Sequence, residues 1–133
     1  MKIDLTLEIT PDILKEAKEN QKPELEGHLG THFDVMDQTF RRYYKEHPQL
    51  SMELIHALLE KKVSIIGIDF AGVRRGAEHI PTDQLCAEQG VFVIENLRHL
   101  ETLFGVQEPL LFHTYPMHMT GVTGLPCRVI AEK

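Results

Sequence analysis

The sequence lacks several features that would place it in a specialised class of protein. No apolar run approaches the ~20 residues that cross a membrane, and the N-terminus resembles an amphipathic strand rather than a signal peptide. The 14 basic residues are outnumbered by 20 acidic ones, the net charge is -6, and no basic cluster is interleaved with aromatic side chains. We therefore expect a cytoplasmic protein that binds neither membranes nor nucleic acids.

Cysteine is also scarce, and the chain contains only Cys86 and Cys127. Without an export signal these two residues are expected to be free thiols rather than a disulfide. One falls in a predicted helix and the other in a predicted strand, with no neighbouring base to activate either, so a cysteine nucleophile is not expected. Because no repeat or low-complexity segment interrupts the sequence, residues 1–133 are expected to form a single domain.

Strand and helix patterns alternate along the chain, which predicts the α/β class. The predicted strands cover residues 3–9, 63–69, 91–94, 110–115 and 126–131, and the predicted helices cover residues 11–20, 52–61, 81–89 and 97–104. Ser51 is a favourable N-cap for the second of these helices. Residues 63–69 and 91–94 are almost continuously apolar, which is typical of strands buried on both faces.

The stretch that carries the chemistry places two histidines and an aspartate at positions i, i+4 and i+6. Gly27 and Gly30 disfavour a helix, so we predict an extended segment with His28, Gly30, His32 and Asp34 on one face and an open space at Gly30. Imidazole and carboxylate ligands suit zinc, manganese or iron, and the lack of a thiolate argues against a closed structural zinc site. The alternative is a loop with two ordinary histidines.

This motif resembles the metal signature of the cyclase family, which includes bacterial kynurenine formamidases and isatin hydrolases. Three further stretches resemble family landmarks in the same order, at residues 63–69, 90–97 and 125–131. The resemblance implies a swivelling β/α/β domain with a mixed sheet and flanking helices. It also implies hydrolysis of a small-molecule formamide or cyclic amide at one or two zinc or manganese ions.

The resemblance also implies which residues hold the metal. His28, His32 and Asp34 would be ligands, and Asp34 could bridge two ions. Glu95 would be the distal bridging ligand, unless it is only a charge at the start of a helix. Thr31 would orient the ligands through hydrogen bonds.

Family members carry one more histidine ligand before the glutamate. Counting back from Glu95, Asp83 occupies that position, and His79 is the nearest histidine, four residues earlier. We expect one of them to bind metal, Asp83 by its position or His79 by its chemistry. Otherwise Asp83 is a helix-start carboxylate and His79 is a loop residue.

The sequence departs from the family pattern at the proton shuttle, a histidine that follows the motif. Met36 and Gln38 occupy the last positions of the pattern, and Gln38 cannot act as a base. His118, in the loop after the strand at 110–115, is a candidate replacement; otherwise it is an ordinary loop histidine.

The central region is short, since 28 residues separate Asp34 from Val63 where family members carry additional strands. A sheet without those strands exposes its edges, so we expect either a homo-oligomer or a shortened relative with a reduced core. The leading functional hypothesis is a metal-dependent amidohydrolase, and the alternative is a non-catalytic protein that binds a metal or small ligand. A third hypothesis, an anion-binding regulator that uses Arg74 and Arg75, competes with the interpretation of these arginines as exposed charge.

Overall fold

A computed structural model describes residues 1–12, 15, 30–34 and 48–133, with Phe33 and Asp34 described by their backbone alone. Within these residues the strands are β1 (Lys2–Asp4), β2 (His32–Asp34), β3 (Ile65–Gly67), β4 (Phe92–Glu95), β5 (Leu111–Pro116) and β6 (Gly124–Glu132). The α-helices are α1 (Met52–Glu60) and α2 (His79–Glu88), and short 3-10 turns occur at Gly76–Glu78 and Leu100–Leu103. No helix in the described part of the chain is long and apolar enough to cross a membrane.

The strands form a mixed sheet organised around β6, the longest strand described. β6 pairs antiparallel with β1, β2 and β5, while β2 pairs antiparallel with β4 on its other side. β4 pairs parallel with β3, and α2 connects these two strands, as the crossover between parallel strands requires. The predicted fold class, an α/β domain with a mixed sheet and flanking helices, is confirmed.

Two hydrophobic clusters pack against β4 from its opposite faces. Val93 belongs to the cluster that includes Ile55 of α1 and Cys86 of α2, whereas Ile94 belongs to the cluster that includes Leu5. Consecutive strand residues point to opposite faces, so one short strand contributes to both clusters. Glu95 follows in the same alternation and therefore lies on the face of the two helices.

The strands predicted to be buried on both faces are only partly so. Regular structure covers Ile65–Gly67 rather than residues 63–69, and Ile65 is 39% exposed whereas Ile66 is 6% exposed. Phe92, the partner of Ile65 in β4, is 52% exposed. Neither Ile65 nor Phe92 belongs to one of the two described hydrophobic clusters, and apolar sequence alone does not show which part of a strand face is covered.

The first strand is also shorter than predicted. It ends at Asp4 instead of residue 9, because an Asp4 side-chain oxygen accepts the Thr6 N–H at 3.0 Å and side-chain bonds replace the strand ladder. The helix predicted over residues 11–20 lies mostly outside the described residues; Pro11, Asp12 and Lys15 are helical.

Two predicted helices differ in their extent. The helix expected at residues 81–89 begins earlier, at His79, and Gly90 follows its end at a φ of 74° in the expected left-handed conformation. The helix expected at residues 97–104 is reduced to the 3-10 turn Leu100–Leu103. His99, at a φ of 61°, departs from helical geometry directly before it.

Helix α1 matches its prediction closely, and its N-cap provides a test. The Ser51 hydroxyl accepts the Leu54 N–H at 3.2 Å. We predict that Ser51→Ala lowers the free energy of unfolding by about 1 kcal/mol, measured by urea denaturation, because that N–H loses its acceptor. Ser51→Asp should retain most of the stability, and equal losses in both variants would contradict the capping role.

Candidate functional site

His32 and Glu95 are neighbours across two paired strands. His32 lies directly opposite Glu95 in the antiparallel register of β2 and β4. Both residues are buried, at 2% and 5% exposure, and His32 Nε2 lies 3.3 Å from Glu95 Oε2. A buried imidazole facing a buried carboxylate is rare without a functional or structural reason, because both groups lose their hydration.

The orientation of the His32 ring is fixed by its other nitrogen. His32 Nδ1 lies 2.9 Å from the Gly30 carbonyl oxygen. A carbonyl oxygen can only accept a hydrogen bond, so Nδ1 carries the proton. In the neutral ring, Nε2 then presents its lone pair to the Glu95 carboxylate, an arrangement that attracts only when a proton or a cation lies between them.

The second oxygen of Glu95 is held by the backbone. The Gly72 N–H donates to Glu95 Oε1 at 2.6 Å. Burial by itself would raise the pKa of Glu95, but the hydrogen bond and charge of His32 in its protonated form, the charge of His79 and the Gly72 N–H together outweigh it and hold the pKa below its ordinary value. The carboxylate form of Glu95 is therefore favoured at neutral pH.

Gly72 connects this pair to the two alternative ligands of the sequence analysis. Gly72 has a φ of 77°, and a Cβ at this position would lie 2.5 Å from His79 Nδ1, so the imidazole packs directly on the glycine. His79 Nδ1 donates to the Arg74 carbonyl oxygen at 3.0 Å, and its Nε2 lies 3.3 Å from Asp83 Oδ2. The structure thus brings His79 and Asp83 together.

The two histidine–carboxylate pairs share one pattern of contacts. In each pair Nδ1 donates to a backbone carbonyl and Nε2 lies 3.3 Å from a carboxylate oxygen. Histidines that bind metals commonly donate their second nitrogen in this way, which fixes the tautomer. His79 begins α2 and Asp83 lies one turn inside it, so His79 is not a loop residue and Asp83 is not at the helix start.

Thr31 and Asn96 hold the backbone around the first pair. The Thr31 hydroxyl donates to the Asn96 carbonyl at 2.8 Å and accepts the Leu7 N–H at 2.7 Å. The Asn96 side-chain amide donates to the Gly30 carbonyl at 3.4 Å, the same oxygen that His32 contacts. Asn96 was not anticipated from the sequence, although asparagine is a common residue at its left-handed φ of 57°.

The structure corrects the prediction for Gly30. Gly30 adopts a φ of 59°, so the extended segment begins only at His32. A Cβ on Gly30 would lie 3.0 Å from the Leu7 carbonyl oxygen and 3.1 Å from Ile9 Cγ1, which means that these neighbours fill the space expected to be open.

Several candidate site residues lie wholly or partly outside the described part of the chain. His28, Met36 and Gln38 lie outside the described residues, as does the apparent gap in the central region. The Asp34 backbone lies in β2 between Val93 of β4 and Gly124 of β6.

The alternative role for Glu95 is wrong, because no α-helix starts after it. Asn96 turns the chain away, and the next regular segment is the 3-10 turn at Leu100–Leu103.

His118 is exposed in the loop that follows β5. That loop begins at Met117, whose N–H donates to the Pro126 carbonyl at 2.8 Å, and Pro126 lies opposite His32 in β6.

Arg74 is not a simple exposed charge. Its guanidinium donates to the Leu50 carbonyl at 2.8 Å and to the Glu78 carboxylate, with 15% of the side chain exposed. These contacts tie the loop before α2 to the start of α1 and give Arg74 a structural role.

The cysteines agree with their predicted inert role. Cys86 and Cys127 are both buried, and neither forms a disulfide. Burial, together with the charge of Asp83, raises the pKa of the Cys86 thiol, which disfavours the nucleophilic thiolate.

The donor atoms of His32 and Glu95 have a spacing that fits two ligands of a metal ion. Two ligand atoms about 2.0–2.1 Å from a tetrahedral zinc ion lie about 3.3 Å apart. His32 Nε2 and Glu95 Oε2 are separated by 3.3 Å, which matches that spacing. Among the residues whose side chains are described, no three histidine, cysteine or acidic side chains converge on one metal position, so this pair supplies only part of a coordination shell.

Comparison with known proteins finds similar solved structures, two of which are described here. One is a predicted metal-dependent hydrolase from Bacillus stearothermophilus, with a TM-score of 0.53, 28% identity and coverage of 67% of this chain and 42% of that protein. The other is a potential metal-dependent hydrolase with cyclase activity, with a TM-score of 0.53, 28% identity and coverage of 67% and 43%. This chain shares their α/β fold. It spans less than half of the length of either protein. No protein-family model matches the chain, and no curated protein matches it.

The packing of His79 on Gly72 predicts a strong effect of a single methyl group. Gly72→Ala should lower the free energy of unfolding by about 1–2 kcal/mol from left-handed backbone strain. The clash with His79 should add about 1–3 kcal/mol. The matched control is Gly76→Ala, because Gly76 has a similar φ of 61° with nothing within 4 Å of its added Cβ. Equal losses in urea denaturation would contradict the close packing.

The Thr31 hydroxyl should contribute more than its size suggests. Thr31→Val keeps the shape but removes the partners of the Leu7 N–H and the Asn96 carbonyl, so we predict a loss of about 2–4 kcal/mol in thermal or urea unfolding. Thr102→Val is the control, since the exposed Thr102 hydroxyl makes one hydrogen bond, to the His99 carbonyl at 2.6 Å. A change below about 0.5 kcal/mol is expected there.

Proposed function

We propose that this chain is a metal-dependent hydrolase that cleaves the C–N bond of a small-molecule amide, formamide or cyclic amide. The observation that carries the proposal is the buried His32–Glu95 pair, whose donor atoms have the spacing of two zinc ligands. Two similar solved structures, described as a predicted and a potential metal-dependent hydrolase, support the same class of reaction.

In this proposal His32 and Glu95 bind the metal from neighbouring strands. Asp34 shares β2 with His32 and would contribute a carboxylate from the same strand, and His28 would contribute a second imidazole. These ligands suit zinc or manganese, as one or two ions.

We assign His79 and Asp83 to the site together rather than as alternatives. Their contacts repeat those of His32 and Glu95, with Nδ1 on a carbonyl and Nε2 facing a carboxylate. Gly72 lies between the pairs and touches both, through its N–H to Glu95 and its Cα against His79. A second ion would use this pair.

When bound, the metal would polarise the scissile carbonyl and activate a water molecule at neutral pH. The residues of the chain keep the ligands in the required state. The Gly30 carbonyl holds the His32 proton on Nδ1, and the Gly72 N–H stabilises the Glu95 carboxylate. His118 is the proposed base, since its side chain is exposed and its loop begins at Met117, which is separated from the His32 strand by β6 alone.

A second candidate function is a non-catalytic protein that binds a metal or a small ligand. It is favoured by the short central region, in which 28 residues separate Asp34 from Val63. It is also favoured by the replacement of the expected histidine by Gln38. Metal binding without turnover would support this function.

The metal site predicts a measurable affinity that depends on His32. We expect His32→Ala to weaken zinc and manganese binding by about 100-fold or more, because even the outer partners of metal ligands contribute 10–100-fold. Isothermal titration calorimetry and the metal content of chain purified without chelator measure this effect. His99→Ala is the matched control, because the His99 side chain is 62% exposed and lies outside the site.

Hydrolysis is then assayed with formamide and cyclic-amide substrates before and after chelation. Turnover that is lost with the metal and restored by zinc or manganese would support the hydrolase. If wild-type chain and His32→Ala contain equally little metal and show no thermal shift with either ion, both candidate functions that rely on this metal site are wrong.

A further inference from the structure

Strand β5 has an outer edge that the described residues leave unpaired. β5 pairs with β6 from Leu111 to Pro116, and no other described strand lies beside it. Just past β5, the Met117 N–H donates to the Pro126 carbonyl at 2.8 Å. Because antiparallel strands alternate between hydrogen-bonded and non-hydrogen-bonded pairs, this bond sets the phase of the whole ladder.

The phase shows which backbone groups of β5 face outward. Leu111, His113 and Tyr115 share the parity of Met117, so their N–H and C=O groups point towards β6. Phe112 and Thr114 have the opposite parity, and their N–H and C=O groups point away from the sheet. No described residue bonds these outward groups.

The side chains of β5 also lack the features that usually protect a sheet edge. The strand has no lysine or other formally charged residue, and its single proline, Pro116, lies at the end. Its large side chains are exposed on both faces, with Leu111 at 61%, Tyr115 at 57% and Phe112 at 49%. A long, apolar edge of this kind favours pairing with another strand.

We propose that β5 pairs antiparallel with β5 of a second copy of this chain, about a two-fold axis at His113. In this register Phe112 of each copy faces Thr114 of the other, and each of these pairs exchanges two backbone hydrogen bonds. All outward groups of Phe112 and Thr114 are then satisfied. The inference is independent of the metal site.

The neighbouring two-fold registers fit less well. A shift that places Thr114 opposite itself puts Phe112 opposite Pro116, which has no N–H to donate. A shift that places Phe112 opposite itself puts Tyr115 opposite Pro109, outside the strand. The axis at His113 instead places Leu111 of one copy opposite Tyr115 of the other, so the two most exposed side chains of β5 cover each other.

The size of this contact predicts a reversible dimer. Side chains of this kind bury about 150–250 Å² each, so covering the exposed half of three of them removes roughly 300 Å² per copy. For both copies together this is roughly 600 Å², well below the area of a standard specific interface, so only a weak, concentration-dependent dimer is expected. We therefore expect monomer and dimer to exchange on dilution.

The first test removes one outward N–H. Sedimentation equilibrium of the full chain should show a dimer that dissociates on dilution, and Thr114→Pro should abolish it while leaving the far-UV circular dichroism unchanged. Thr114→Val is the control, because it retains the N–H and should dimerise like the wild type. A wild-type chain that is monomeric at every concentration overturns the proposal.

The second test reads the register and does not depend on a proline variant folding. His113→Cys should form a disulfide between two copies on mild oxidation, because residues opposite each other at the axis place their Cβ atoms about 4.5–5.5 Å apart. Phe112→Cys should not form a disulfide, because Phe112 faces Thr114 of the other copy and the two Phe112 positions are therefore offset by two residues along the strands. Cross-linking in both variants or in neither, or a dimer that survives in Thr114→Pro, overturns the proposal.

Discussion

The burial of one imidazole against one carboxylate constrains much of this structure. Removing an ionisable group from water costs several kcal/mol even after relaxation, and His32 and Glu95 are 2% and 5% exposed. Such a pair persists only if the remaining hydrogen-bonding atoms of both residues have partners. The Gly30 carbonyl and the Gly72 N–H provide those partners. Both come from backbone in turns rather than from strands, because a strand has already used its own groups in the ladder.

This requirement explains residues that contribute no reactive group. Gly30 and Gly72 both have positive φ values, which turn a backbone group towards the pair and let a neighbour approach where a side chain would stand. The Thr31 hydroxyl connects the start of the chain to the turn at Asn96, because it accepts the Leu7 N–H and donates to the Asn96 carbonyl. The site is therefore fixed by the ends of several elements, and its geometry depends on their mutual packing.

The sequence predicted which residues lie together at the candidate site better than it predicted their geometry. His32 and Glu95 were identified from a motif and a strand end, and the strand register then placed them opposite each other. The pairing of His79 with Asp83 follows from i, i+4 spacing on a helix, but the predicted helix began two residues too late to include His79. This difference of two residues matters, because it decides whether His79 lies in the preceding loop or in the helix, where it is one turn from Asp83.

Other features could not be predicted because they depend on contacts between distant segments. Ile65 and Phe92 are exposed although both lie in apolar strands, because neither belongs to one of the two described hydrophobic clusters. Likewise, the left-handed turn at Asn96 becomes informative only once its side chain is seen to reach Gly30. Local sequence determines the propensity to form a strand or turn, whereas the packing of distant segments determines which of its side chains are buried or make contacts.

The position of the site follows from the way β6 changes partners. Its first part pairs with β2, at Gly124–Pro126, and its last part pairs with β1, at Ile130–Glu132. Between these parts, the Cys127 N–H still donates to the Thr31 carbonyl at 2.9 Å and the Val129 carbonyl accepts the Leu5 N–H at 2.8 Å. Near the gap between β1 and β2, the Thr31 hydroxyl, just before β2, accepts the Leu7 N–H of the segment that follows β1 at 2.7 Å. Glu95 ends β4 beside this gap, at the carboxyl end of a parallel strand pair, where open α/β sheets form their binding crevices.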